Sequence, residues 1–246
     1  MIHPSLSIII PCYNEESIIY NTIKTIATFL SAKEFDFEII PVNDGSSDGT
    51  ISEMNRAKIE LTSFTIKPID NTANQGKGQA IKDGVLLSHK DVIVFIDADL
   101  TVSIDELEAF LPALKTHDIV IASRALQGTT FEEENPWYRI WLAKGFRFFQ
   151  TLILGDLDVK DTQCGFKVFK RDAAQEIFKK VTIKRFAFDA EALFLAERLR
   201  YSIQQLPITI RRDHRVSRVN ALSDPIDMLF ALIKIRINAC LGRYDN

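Results

Sequence analysis

Hydrophobic positions in the first half of the chain fall into two alternating patterns. Short runs rich in β-branched residues (Leu6–Ile10, Phe37–Val42, Phe64–Ile69, Val92–Ile96 and Ile119–Ala122) predict strands. Between them, apolar residues recur three and four apart. Glu15–Ala32 carries Ile18, Ile19, Ile23, Ile26, Phe29 and Leu30 at that spacing, a second helix starts near Thr50, a third passes through Ala80, Ile81, Val85 and Leu86, and a fourth covers Ile104–Leu114. Strands and helices in alternation predict an α/β fold: a mostly parallel central sheet flanked by helices and joined by right-handed crossovers. Val92–Ile96 is apolar at every position, so it is expected to be central and covered on both faces. Ligands of such sheets bind beyond the carboxyl ends of the strands, where the polar turns after strands one, two and four fall.

The second half is less regular. Leu126–Asn135, with Gly128 and the acidic run Glu132–Glu134, reads as a loop. Pro136–Leu154 and Phe188–Leu199 have helical spacing, Ser202–Ile210 reads as a strand, and Asp224-Pro225 opens an amphipathic helix that ends near Cys240. No repeat or low-complexity linker divides the chain. The expectation is one α/β domain over residues 1–220 and a C-terminal amphipathic helix in 221–246.

With 246 residues, 46% hydrophobic and 26% charged, the chain is not of the disordered, collagen-like or disulfide-scaffold classes. Its three scattered cysteines and four histidines form neither a disulfide framework nor a zinc-binding spacing. A net charge of −3 argues against nucleic acid as a partner, yet residues 181–246 carry +4. Within them Arg211, Arg212, Arg215 and Arg218 fall in eight residues, a composition suited to phosphate or a membrane surface, since guanidinium pairs with phosphate bidentately. The start lacks a signal-peptide pattern, and no run reaches the roughly 20 apolar residues of a membrane span. A cytoplasmic chain that reaches membranes only at their surface is expected.

Asp97-Ala98-Asp99 follows the buried fourth strand, placing two carboxylates at the sheet edge. Close carboxylates resist joint ionisation unless a cation joins them. Mg²⁺ or Mn²⁺ takes one or two carboxylates and completes its shell with phosphate oxygens and water, so this pair suits a metal-bound diphosphate. The second copy, Asp156-Leu157-Asp158, follows Gly155 in a loop and ranks below it. Pro11-Cys12-Tyr13-Asn14-Glu15 and Asn43-Asp44-Gly45-Ser46 converge on the same edge, where an aromatic ring, Asn and carboxylates suit a base and ribose. Asn74–Lys77 reads as a loop over the donor, with Lys77 available to a phosphate. Gly76-x-Gly78 superficially matches the dinucleotide fingerprint, but Ile81 holds the third small-residue position and two strand–helix units precede it.

Taken in order, Ile8–Glu15, Val42–Thr50, Asn74–Gly78 and Asp97-Ala98-Asp99 resemble the motifs of family 2 glycosyltransferases of the GT-A fold. Asp161–Lys167 and Arg185–Glu191 are similar to the branch that moves a sugar onto polyprenyl or dolichyl phosphate, most nearly the dolichyl-phosphate β-glucosyltransferases. The resemblance runs from about Leu6 to Val219. It implies that Pro11, Tyr13, Asn14, Glu15 and Asp44 line the nucleotide pocket, that Asp97 and Asp99 hold the metal and diphosphate, and that Lys77 and Gln163 serve the donor. It also implies that Asp161 faces the transferred sugar and that Arg124, Arg139 and Arg218 face the lipid phosphate. Thr101 stands where mannosyl-transferring relatives often have Gln, which favours glucose over mannose.

The expected reaction is inverting transfer of glucose from UDP-glucose to a lipid phosphate. That acceptor is already an anion and needs little base catalysis. GDP-mannose as donor, a saccharide hydroxyl as acceptor, and a sugar-nucleotide-binding module without turnover are the alternatives. Pro136–Leu154 and Asp224–Gly242, apolar with interspersed Lys and Arg, are expected at a membrane surface or in a homodimer contact.

Overall fold

The computed structural model describes residues 4–133, 137–211 and 223–245. In chain order its elements are β1 (Leu6–Cys12), α1 (Ile19–Ala32), β2 (Phe37–Asp44), α2 (Thr50–Glu60), β3 (Thr65–Ile66), β4 (Ile69–Asn71), α3 (Lys77–Leu87) and β5 (Val92–Phe95). A 3₁₀ turn (Ile104–Glu106) leads into α4 (Leu107–Ala113), then β6 (Ile119–Ala122), β7 (Thr130–Phe131), α5 (Trp137–Leu154) and β8 (Lys167–Lys170). α6 (Arg171–Lys180), α7 (Phe188–Arg198), β9 (Ile203–Leu206), β10 (Thr209–Ile210) and α8 (Ser223–Cys240) complete it.

The main sheet has the order β3-β2-β1-β5-β8-β6-β9, with β4 also paired to β2. β1 lies parallel between β2 and β5, so the turns that leave these three strands emerge side by side. Alternate residues of each strand feed opposite faces. Ile8, Ile10, Val94 and Ile96 join one core with Ile19, Ile23 and Phe110, while Ile9, Ile40, Ile93 and Phe95 join another with Ile81, Phe178 and Phe188. Helices therefore cover both faces, as the continuous apolar run of β5 requires.

Several sequence expectations are corrected. The run 64–69 is not one strand, because Pro68 separates β3 from β4 and has no N–H to donate to a ladder. The run 202–210 likewise divides around Pro207: β9 pairs with β6, while β10 leaves the sheet to pair with β7, inside the stretch expected to be loop. The first helix starts at Ile19 rather than Glu15, after a turn in which the Ile18 and Ile19 amides donate to the Glu15 carbonyl. β8 and α6 were not anticipated. β8 is antiparallel to both β5 and β6, so one reversed strand interrupts the parallel order. Its sequence, Lys-Val-Phe-Lys, lacks the apolar run that revealed the other strands.

α8 packs beside α5 and α7 and buries Leu232 and Ile235 completely, with Tyr244 just beyond its end also buried. Trp141, Phe148, Phe149 and Leu152 of α5 and Ile226, Phe230, Ile237 and Leu241 around α8 stay exposed.

Candidate active site at the carboxyl edge of the sheet

The carboxyl ends of β1, β2 and β5, the start of α3 and the loop before α7 enclose a cavity of about 760 Å³. Pro11, Tyr13, Asn14, Glu15, Asp44, Lys77, Asp97 and Asp99 all line it, joined by Asn74, Arg185 and Phe186. Gln163, Asp161 and Arg124 are described but are not among its lining residues. The side chain of Arg139, and Arg212, Arg215 and Arg218 of the basic cluster, lie outside the described residues. Arg211 is described, exposed and 3.4 Å from Asp105.

The turns after β1 and β2 brace one another. Asn14 adopts φ 53°, donates its N–H to Ser46 Oγ at 2.9 Å, and accepts the Ser47 N–H on Oδ1 at 2.9 Å. Asp44 is almost fully buried and accepts the N–H groups of Gln75 and Gly76 at 2.9 and 2.7 Å, so it holds the 74–76 loop at the cavity wall. Gly45 must be glycine: its φ is +67°, and a β-carbon there would stand 2.4 Å from the Ala73 carbonyl carbon. Tyr13 is partly exposed at the cavity wall.

Asp97 and Asp99 leave the end of β5 two residues apart. Lys77 Nζ lies 2.5 Å from Asp97 Oδ1. Burial would lower the pKa of Lys77, but the charges of Asp97, Asp189 and Asp99 outweigh it and hold the ammonium above the usual lysine value. Lys77 is thus a counter-ion to the acidic pair. Asp99 Oδ1 accepts the Thr101 N–H at 3.0 Å and its hydroxyl at 3.1 Å. Thr101, the departure from the mannosyl pattern, orients the second aspartate.

Asp161 forms a two-pronged ion pair with Arg124, Nε to Oδ2 at 2.7 Å and Nη2 to Oδ1 at 2.9 Å, and also accepts the Arg124 and Gln163 N–H groups. Burial pushes its carboxyl up, but these bonds and the guanidinium charge hold it below the usual carboxylate range.

Two buried acids were not singled out from sequence as site residues. Lys167 Nζ sits 2.5 Å from Asp189 Oδ1 in the interior, within electrostatic reach of Lys77 and Asp97, and burial raises the Asp189 carboxyl against the pull of Lys167 and Lys77. Glu191 is fully buried and accepts the Thr182 N–H and hydroxyl, the Ile183 N–H and the Tyr244 hydroxyl. It thereby fixes the loop that presents Arg185 and Phe186. Both acids fall in the Arg185–Glu191 stretch that carries the resemblance and stand among the apolar residues of Phe188–Ala196, but neither is assigned a site role by the sequence.

No cluster of three or more His, Cys, Asp or Glu suited to a metal occurs among the described residues. Mg²⁺ and Mn²⁺ do not need one: one or two carboxylates beside a cavity able to admit a diphosphate is their ordinary donor set. Asp97 and Asp99 fit it.

Residues 7–178 match the family model for glycosyl transferase family 2. The chain is 32% identical to a dolichyl-phosphate beta-glucosyltransferase of Dictyostelium discoideum, over 96% of this chain and 75% of that protein. It is 33% identical to a dolichyl-phosphate beta-glucosyltransferase of Saccharomyces cerevisiae, over 98% and 77%. Among solved structures, glucosyl-3-phosphoglycerate synthase of Mycobacterium tuberculosis, in complex with Mn²⁺ and UDP-glucose, shares the fold at 17% identity and a TM-score of 0.63, over 98% of this chain and 79% of that one.

Proposed function

The chain belongs to glycosyl transferase family 2, and from that premise we propose that it transfers glucose from UDP-glucose to a polyprenyl or dolichyl phosphate, with inversion at the anomeric carbon. The observation that carries this reading is the pair Asp97 and Asp99 at the cavity between the β1 and β2 turns, in a chain about one-third identical to dolichyl-phosphate glucosyltransferases. Tyr13, Asn14 and Glu15, with Pro11 beside them and Asp44 beneath, receive uracil and ribose. Asp97 and Asp99 hold Mg²⁺ or Mn²⁺, which when bound neutralises the leaving diphosphate.

A lipid-phosphate oxygen attacks the anomeric carbon as the bond to UDP breaks. No proton has to be removed from this acceptor. A saccharide hydroxyl would need a carboxylate ready to take one, whereas both Asp161 oxygens are already paired with Arg124. In this reading Asp161 and Gln163 orient the sugar, while Arg124, Arg139 and Arg218 offset the repulsion between the two phosphates.

The acceptor lies in a membrane, and the exposed apolar residues of α5 and α8 suit contact with the headgroup layer. Among the described residues, no helix is long and apolar enough to cross a membrane. Peripheral attachment on the cytoplasmic face follows from this reading, with residues 221–246 as the membrane-facing appendage and a homodimer the other use of the same face.

The test is transfer of radiolabelled glucose from UDP-glucose into polyprenyl phosphate carried in liposomes, with Mg²⁺ or Mn²⁺. A charged glycolipid product supports the proposal. Absence of lipid product with UDP-, GDP- and dTDP-sugars alike overturns it.

A further inference from the structure

Four carboxylates (Glu15, Asp44, Asp97 and Asp99) line the cavity, against two cations, Lys77 and Arg185. Lys77 is spoken for by Asp97. Arg185 is exposed, and its guanidinium makes no hydrogen bond or ion pair with any described residue.

Its backbone, by contrast, is closely held. Glu191 grips residues 182 and 183, the Gln79 N–H donates to the Lys184 carbonyl at 3.0 Å, and Lys184 Nζ reaches Gln75 Oε1 at 2.7 Å. Gly76 leaves no slack beneath: a β-carbon there would stand 2.6 Å from the Lys184 carbonyl oxygen and 2.9 Å from Arg185 Cγ. A guanidinium unpaired among the described residues, on so fixed a support, resembles a prepared anion ligand more than a solvated surface arginine.

Arg185 and Phe186 also line a second cleft of about 410 Å³, between the 182–187 loop and α8, with Met228, Phe230 and Lys234 on its far wall. They are the residues the two cavities share.

We propose that Arg185 binds a phosphate oxyanion at the junction of the two cavities, as a substrate ligand of the transfer reaction. The inference rests on the transferase reading above. Two phosphates meet the chemistry: the donor diphosphate, reached from the larger cavity, and the acceptor monophosphate, reached from the cleft.

The experiment compares wild type, Arg185→Gln and Arg185→Lys in two arms: calorimetric binding of UDP and of uridine with Mn²⁺, and KM for polyprenyl phosphate in liposomes. A guanidinium–phosphate pair at a partly exposed site predicts a loss of roughly five- to twentyfold in Arg185→Gln, with partial recovery in Arg185→Lys. If the donor is the ligand, UDP affinity falls and uridine affinity does not. If the acceptor is the ligand, UDP binding is unchanged and KM for the lipid phosphate rises. A melting temperature equal to wild type removes misfolding as the cause. UDP binding and lipid KM both within twofold of wild type overturn the inference and leave the transferase reading standing. A wild-type protein that neither binds UDP nor transfers sugar overturns both.

Discussion

Gly165 stands directly against the carboxylate of Asp97. A β-carbon on Gly165 would lie 1.9 Å from Asp97 Oδ2. The contact follows from the reversed strand: β8 pairs Lys167 with Phe95 of β5, and Gly165, two residues before Lys167, meets Asp97, two residues after Phe95. With Oδ2 against Gly165 and Oδ1 held by Lys77, the rotation of Asp97 is set. Gly165→Ala should push the aspartate out of place and lower kcat/KM for the nucleotide sugar by about a hundredfold, as roughly ångström-scale displacements of reacting groups do. Steady-state kinetics checks this, and activity within threefold of wild type would show that the contact is incidental.

Thr101 holds Asp99 through its hydroxyl as well as its N–H. Thr101→Val keeps the branched shape and the N–H but loses the hydroxyl bond. If Asp99 holds the metal as proposed, support of this kind is worth roughly tenfold, the low end for a group hydrogen-bonded to a metal ligand. Titration of UDP binding against Mn²⁺ should show weaker apparent metal affinity, with the melting temperature little changed.

The Arg124–Asp161 pair makes stability depend on acid. The folded-state pKa of Asp161 is depressed, so its contribution is fully present above the unfolded value near 4 and is lost as pH falls through the lower folded value. Asp161→Asn should cost roughly 1.5 kcal/mol at neutral pH, the low end for a charged hydrogen bond because the Arg124 side chain is 41% exposed. The gap in melting temperature between wild type and variant should narrow as pH drops below about 4. A constant gap would mean that the pair is not the cause.

Glu191 ties Thr182, Ile183 and Tyr244 together in the core. Glu191→Gln leaves N–H groups facing an amide that cannot accept on both sides, and should destabilise by about 2–4 kcal/mol. Tyr244→Phe removes one bond and should cost about 1 kcal/mol. Urea denaturation distinguishes the two. A Glu191→Gln variant as stable as wild type would exclude the proposed hold on the 182–187 loop.

Asp97→Asn should abolish most of the rise in melting temperature that UDP with Mn²⁺ produces in wild type, while a smaller rise with UDP alone persists. Equal stabilisation in both proteins would place the metal elsewhere.

Much of this site was legible along the chain because its parts are local. The carboxyl ends of β1, β2 and β5 each carry their polar residues within a few positions of an apolar run, and parallel strands deliver those ends to one edge. Pro11 through Glu15, Asp44, Lys77, Asp97 and Asp99 could therefore be named from spacing and resemblance and then found around one cavity. The short strands were not legible, since Lys167–Lys170 and Thr130–Phe131 have too few residues to show a period.

Hydrophobic periodicity determined the alternation of strands and helices, and with it the edge where chemistry would gather. Only the tertiary structure decided that β8 runs backwards between β5 and β6, that Lys77 neutralises Asp97, that Arg124 claims Asp161, and that Glu191 braces the loop carrying Arg185. The reason is distance along the chain. A period is written in neighbouring residues, whereas an ion pair between positions 124 and 161, or a glycine at 165 making room for an aspartate at 97, exists only once the chain has folded.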